Sequence, residues 1–129
     1  MKKSIIVILK GLVSITIVNV WLFRFDKQTM YRGGGADNMI SEFAAYGLSE
    51  NTVYVVGALK VLAALMLFFG IFFKKLVFPS LLIISMLMTG ALYFHFSIGD
   101  QLIKSLPAFL MLLSCSIIFV LERKSKSQL

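Results

Sequence analysis

Four long apolar runs, parted by short polar breaks, organise the chain. Ile5–Phe23 is interrupted only by Lys10 and Asn19, and Tyr54–Phe73 only by Lys60. Leu76–Phe96 carries His95 near its end. The fourth run, about Leu106 to Leu121, extends back past Lys104 if that ammonium sits at an interface. A helix rising ~1.5 Å per residue needs about 20 residues to cross ~30 Å of hydrocarbon. The runs match that length, and they show almost no polar face at helical spacing. Barrel strands would be ~10 residues long and would alternate apolar with polar. The pattern predicts an all-α, membrane-spanning antiparallel four-helix bundle in one domain, residues 1–129, with spans at about 5–23, 54–73, 76–96 and 104–121. The first run reads as a retained span: it exceeds the ~7–15 residues of a leader's apolar core, and Trp21-Leu22-Phe23-Arg24 is no small-residue cleavage site.

The breaks carry their own signals. Lys74-Lys75 leaves almost no loop, so spans two and three must be antiparallel neighbours. Pro79 and Pro107 fall in first turns, where a missing N–H costs little. The long connection, Arg24–Val53, contains Gly33-Gly34-Gly35. A glycine triplet resembles a phosphate cradle, but no strand precedes it and no GK[ST] follows, so it reads as a turn. Asp37 as N-cap and Gly47 as C′ residue bracket a short helix with Met39, Ile40, Phe43 and Ala44 on one face. This amphipathic helix is expected to lie on the outer interface or cap the bundle, as a lid more than a substrate grip.

Composition agrees. The chain is 59% hydrophobic and 15% charged, against roughly 45–50% and about 25% in soluble domains. The net charge of +7 would suggest nucleic acid in a soluble protein. Here Lys2, Lys3, Lys74, Lys75, Arg123, Lys124 and Lys126 fall on one side of the predicted bundle, with only Glu122 against them. The positive-inside rule puts both termini in the cytoplasm of an inner membrane, and the charge is absorbed by topology with no nucleic-acid partner. The single cysteine, Cys115, allows no intrachain disulfide. No HExxH, His/Cys metal spacing or Ser/His/Asp order is found, so no catalytic residue and no metal is assigned.

Ionisable groups at membrane depth are costly and are default functional candidates. Lys10, near the cytoplasmic start of span one, is expected to snorkel. Asn19, Lys60 and His95 fall in the outer half, with Arg24 and Asp100 just above, and these five form the candidate ligand-binding set. Lys60 has Gly57 and Ala64 on its face, which favours close helix approach and an interior lysine. Its candidate partners are Asp100, Glu42 and Asn19. His95 shares its face with Met88 and Ala91, and Gly99 interrupts the helix before Asp100, so helical spacing does not bring His95 and Asp100 together. Ser85, Thr89 and Ser114–Ser116 are expected to hydrogen-bond between helices. Two readings stand: structural glue, or a pocket whose lysine, histidine and carboxylate hold a quinone head or move protons. A cavity open at the level of Lys60 would favour the second.

EFAAYGL, VVGALKVLAALMLFFGIFFKKLVFPSLL, MTGALYFHFSIGD and SLPAFLMLL, in that order, resemble the DoxX-like four-helix membrane proteins over about Arg32 to Leu121. The resemblance implies a compact bundle in a bacterial inner membrane. Some members are subunits of thiosulfate:quinone oxidoreductase, others associate with redox-defence proteins, and animal relatives act as membrane chaperones. It therefore implies a non-catalytic or redox-associated subunit with quinone as candidate cofactor, with membrane or redox proteins or further copies of the chain as partners beside the lipid bilayer. The alternative it leaves open is a scaffold or chaperone without ligand chemistry. The chain departs from the pattern at Lys60, where members often carry a glutamate, and at NVWLFRF, where many end span one with a glycine and a lysine.

Overall fold

The computed structural model describes the backbone of residues 2–127 and the side chains of residues 3–124. The fold is all-helical, with no strand among the described residues. Helix α1 (Lys2–Val18) continues as a π-helical turn over Asn19–Phe23. A short α2 (Met39–Ala45) follows, then α3 (Glu50–Phe69), α4 (Val77–Ser97) and α5 (Leu106–Ser127). Single 3₁₀ turns at Lys74–Leu76 and Leu102–Ser105 lead into α4 and α5. Four helical segments are long and apolar enough to cross a membrane: Lys3–Phe23, Glu50–Phe69, Lys74–Ser97 and Leu102–Lys124.

The four long helices close in a ring in chain order. Helices α1 and α4 each pack on both α3 and α5. The seam holds Val13 and Ile17 of α1, Ala63, Ala64 and Leu67 of α3, Leu81 and Ile84 of α4, and Cys115 and Ile118 of α5, all buried. The outside is as apolar as the inside. Ile15, Leu22, Leu62, Phe72, Leu82, Met86 and Leu110 stand exposed, a coat that only lipid solvates well. The two long-connection segments lie at one end of the bundle, and Lys74 and Lys75 at the other.

Helix ends follow local chemistry. Helix α3 starts at Glu50, four residues before the predicted span, because Ser49 caps it by accepting from the Thr52 N–H. It ends at Phe69, and Gly70 closes it. Lys60 is therefore in the middle of its helix, ~15 Å below Glu50 at ~1.5 Å per residue, deeper than the hydropathy pattern suggests. Asn38, in place of the predicted Asp37, caps α2: its side chain accepts from the Ser41 N–H while Ser41 Oγ receives the Asn38 N–H. Gly47 does adopt the left-handed conformation (φ 84°) expected past the helix end. The hydroxyls of Thr89, Ser114 and Ser116 donate to carbonyls four residues back in their own helices. These three do not bridge helices as expected, because in an apolar environment the nearest acceptor is intrahelical, whereas Ser85 of α4 does hydrogen-bond Cys115 of α5.

Lys10 overturns the snorkelling expectation. It is buried, on the α1 face shared with Ile6, Val13 and Ile17, and it forms an ion pair with Glu122 of α5. Its ammonium also approaches the Gly70 carbonyl at 3.4 Å. One contact set thus ties α1, α5 and the end of α3. Removing one partner strands the other charge in an apolar setting, which costs about 3–5 kcal/mol. Lys10→Met and Glu122→Met should each lower the thermal unfolding midpoint in detergent. The double variant should recover most of the loss, and a double-mutant cycle reads the difference.

Candidate functional site

The long connection is folded around one buried guanidinium. Arg32 donates through Nε to the Lys27 carbonyl (2.8 Å) and through Nη2 to the carbonyls of Arg24 (2.6 Å) and Phe25 (3.0 Å). Its Nη1 donates to Glu42 Oε2 at 3.0 Å. A planar fork with five donors suits this bundling of carbonyls and a carboxylate. The other Glu42 oxygen accepts from the Gly33 N–H (2.9 Å) and the Tyr46 hydroxyl (2.9 Å). Tyr46 stands one turn after Glu42 on α2, and its ring stacks on Phe94 and meets His95 edge-on. Its hydroxyl lies 3.4 Å from His95 Nδ1. That nitrogen is 2.7 Å from Asp100 Oδ2, and Asp100 Oδ1 accepts from the Gly34 N–H at 3.0 Å. Lys104 completes the ring by donating to the Arg32 carbonyl at 2.8 Å.

The glycine triplet is thus an anion cradle whose anions are the protein's own carboxylates. Gly34 and Gly35 have φ of 65° and 68°, which aims successive N–H groups outward. Gly33 is glycine for another reason: a Cβ there would fall 2.2 Å from the Tyr46 hydroxyl. Burial opposes ionisation of Asp100, but the Gly34 N–H, His95 and Lys104 outweigh it and hold its carboxyl below the usual carboxylate range. Burial and the Glu42 charge push the Tyr46 phenol well above its ordinary value, so it remains a donor to Glu42.

Beneath this cap lies a cavity of about 400 Å³ between the helices. Trp21, Met88, Phe94, Ala108 and Met111 line it, and its polar members include Arg24, Lys60 and His95 together with Arg32, Glu42, Tyr46 and Lys104 of the cap. Its lining also includes the exposed Val20 and Met86, within α1's π-helical turn and α4. Trp21, one turn after Ile17, continues the buried face of α1, and the π-helical turn closes there with the Arg24 N–H on the Asn19 carbonyl (2.9 Å). Gly57 makes room for Trp21, since a Cβ would lie 2.7 Å from the indole. The Lys60 ammonium sits 5.2 Å above that indole, within cation–π range. Among the described residues no carboxylate reaches it.

Comparison with protein families matches residues 31–117 to the DoxX-like family. The chain belongs to the DoxX-like family. No curated protein and no solved structure matches it. This DoxX-like chain is accordingly a multi-pass membrane protein, and the helical bundle agrees with what its sequence resemblance implies. The matched region holds Arg32, Glu42, Lys60, His95, Asp100 and Lys104, whereas Trp21 and Arg24 precede it.

Of the five residues singled out from the sequence, Arg24, Lys60 and His95 line the cavity. Asp100 stands behind His95, bonded to it despite the intervening Gly99. Helical spacing failed there because the chain turns back: Gly99 takes φ 72° and the Asp100 N–H returns to the His95 carbonyl at 3.0 Å. Asn19 does not join them. It is exposed in a separate groove between α1 and α3, with Ser14, Phe23, Ala64 and Phe68. Residues two apart on a helix do not share a face, so turning Trp21 inward turns Asn19 out. Sequence reasoning missed Arg32, Tyr46 and Trp21 and offered Glu42 to Lys60, where the structure gives it to Arg32. One signal was present: Glu42 lies three residues after Met39, on the helix's apolar face, where a carboxylate needs a buried partner.

Two outcomes follow for this DoxX-like cap. Gly33→Ala forces Tyr46 away from Glu42 and should destabilise by about 1–3 kcal/mol, the usual cost of overpacking. Gly11→Ala, which meets open space, should not; thermal unfolding of the two variants measures the contrast. The folded-state carboxyl of Asp100 is held below its ordinary value. Its stabilisation is complete above the ordinary pKa of about 4 and is lost as pH falls through the lower, folded value. Amide exchange in residues 24–47 should rise on acidification in that window, and Asp100→Asn should remove that pH dependence.

Proposed function

We propose that this chain is a bacterial inner-membrane protein, single-domain and with cytoplasmic termini, that holds a small lipid-soluble ligand with a polar head. The cavity at Lys60 carries the reading. A volume of about 400 Å³ lies within the roughly 300–1,000 Å³ of small-molecule sites. Its walls are apolar, methionines among them, which suits a flexible and variable tail. Its polar groups, Lys60, Arg24 and His95 with Arg32, Glu42 and Lys104 of the cap, converge on one space as orienting groups do. A quinone has this form, a ring head with hydrogen-bond acceptors on an apolar tail. A quinone-associated subunit of a larger redox assembly, without catalysis of its own, is the role we favour.

The second reading is a scaffold or chaperone for partner proteins. The saturated network from Arg32 through Glu42 to Asp100 supports it, since that network is structural glue. Mass spectrometry of the protein extracted from its native membrane, in mild detergent, separates the two. The ligand reading expects a co-purifying lipid-soluble small molecule that Lys60→Ala releases while the bundle remains folded. A preparation that retains no such molecule, yet carries a stoichiometric protein partner in native and Lys60→Ala forms alike, would contradict it.

A further inference from the structure

All six carboxylates of the chain can be placed, and none is free for Lys60. Glu42 has Arg32 on one oxygen and Gly33 and Tyr46 on the other. Asp100 is taken by His95 and Gly34, Glu122 by Lys10, and Glu50 accepts from Tyr54. Asp26 and Asp37 are exposed in the long connection. Lys60 meanwhile lies half-way along a membrane-length helix, partly buried, with the Trp21 ring against it, Glu42 on the same cavity wall and, among the described residues, no ion pair. An unpaired cation at that depth is strongly disfavoured. Arg24, Arg32 and Lys104 line the same space, and its one carboxylate, Glu42, is held by Arg32. Four cations against one committed carboxylate therefore leave this mostly apolar cavity with an excess of positive charge.

We infer that the missing counter-ion is the ligand's: the cavity takes a single-chain amphiphile with an anionic head, carboxylate or phosphate, seated between Lys60 and Arg24 with its tail along Met88 and Met111. This deepens the lipid-ligand reading and rests on it. A neutral head would accept a hydrogen bond from Lys60 and leave its charge uncompensated. An anionic head forms charge-assisted hydrogen bonds and compensates it.

The test uses the full chain in neutral detergent in buffer at neutral pH. Trp21 is the only tryptophan, so its emission reports on this site alone. The probes are dodecanoate, dodecyl phosphate, dodecanol and a short-tailed benzoquinone. Saturable emission changes are expected with one or both anions, the tighter one identifying the head, and weak or no response with the neutral probes. Lys60→Met should weaken anion binding about tenfold or more, the loss of one charge-assisted hydrogen bond. Lys60→Arg should retain it. Without ligand, Lys60→Met should unfold at a higher temperature than the native chain, because it removes an unpaired charge. Equal binding of dodecanol or the benzoquinone, or anion binding unchanged in Lys60→Met, overturns the anionic head and leaves the lipid-ligand reading standing. No saturable response to any probe overturns both.

Discussion

The long-loop end of the bundle depends on one buried ion pair, Arg32 with Glu42. A loop of polar residues above an apolar bundle has no core of its own, and its carbonyls must find donors. Arg32 supplies them for Arg24, Phe25 and Lys27, and the Glu42 carboxylate compensates its charge. Because Glu42 belongs to α2, that one pair also fixes the short helix. Fixing α2 sets Tyr46 against His95 and Phe43 edge-on against Trp21. The other buried ion pair, Lys10 with Glu122, does similar work for α1 and α5 at the opposite end. Between these two ties the helices are held mainly by apolar packing, and that is where the cavity lies.

The cavity is a consequence of how space is allotted. Trp21 follows Ile17 on the buried face of α1, Gly57 yields the room, and the indole becomes a platform beneath Lys60. A lysine at mid-helix could be neutralised by an acidic neighbour, yet the acids near it are committed to Arg32 and His95. The structure therefore separates two kinds of polar group that share one end of the bundle. One kind is saturated and holds the cap down. The other, Lys60, has no ion pair among the described residues and faces the cavity.

Much of this architecture was legible in the residues. Run length and apolar coat announce four spanning helices, and Lys74-Lys75 announces the tight link between the second and third. The cap was less legible. Asn19 stands out in NVWLFRF by its polarity, yet the buried face of α1 runs through Val13, Ile17 and Trp21, and Asn19 lies off it. His95 and Asp100 meet because Gly99 reverses the chain, whereas Gly99 read from sequence separates them. The Arg32–Glu42 pair spans ten positions across a loop with no periodicity to project. What sequence did offer was the acid on the apolar face of α2, a local conflict that only a buried cation resolves. The same conflict, without a resolution inside the chain, marks Lys60.

If the Arg32–Glu42 pair closes the loop end, then the cavity communicates with lipid and not with water. Collisional quenching of Trp21 measures this most directly, using membrane-borne brominated acyl chains on one side and aqueous iodide on the other. In the native chain the brominated chains should quench strongly and iodide weakly, and Glu42→Gln should admit iodide. Strong iodide quenching of the native chain, or no change on Glu42→Gln, would contradict the closure.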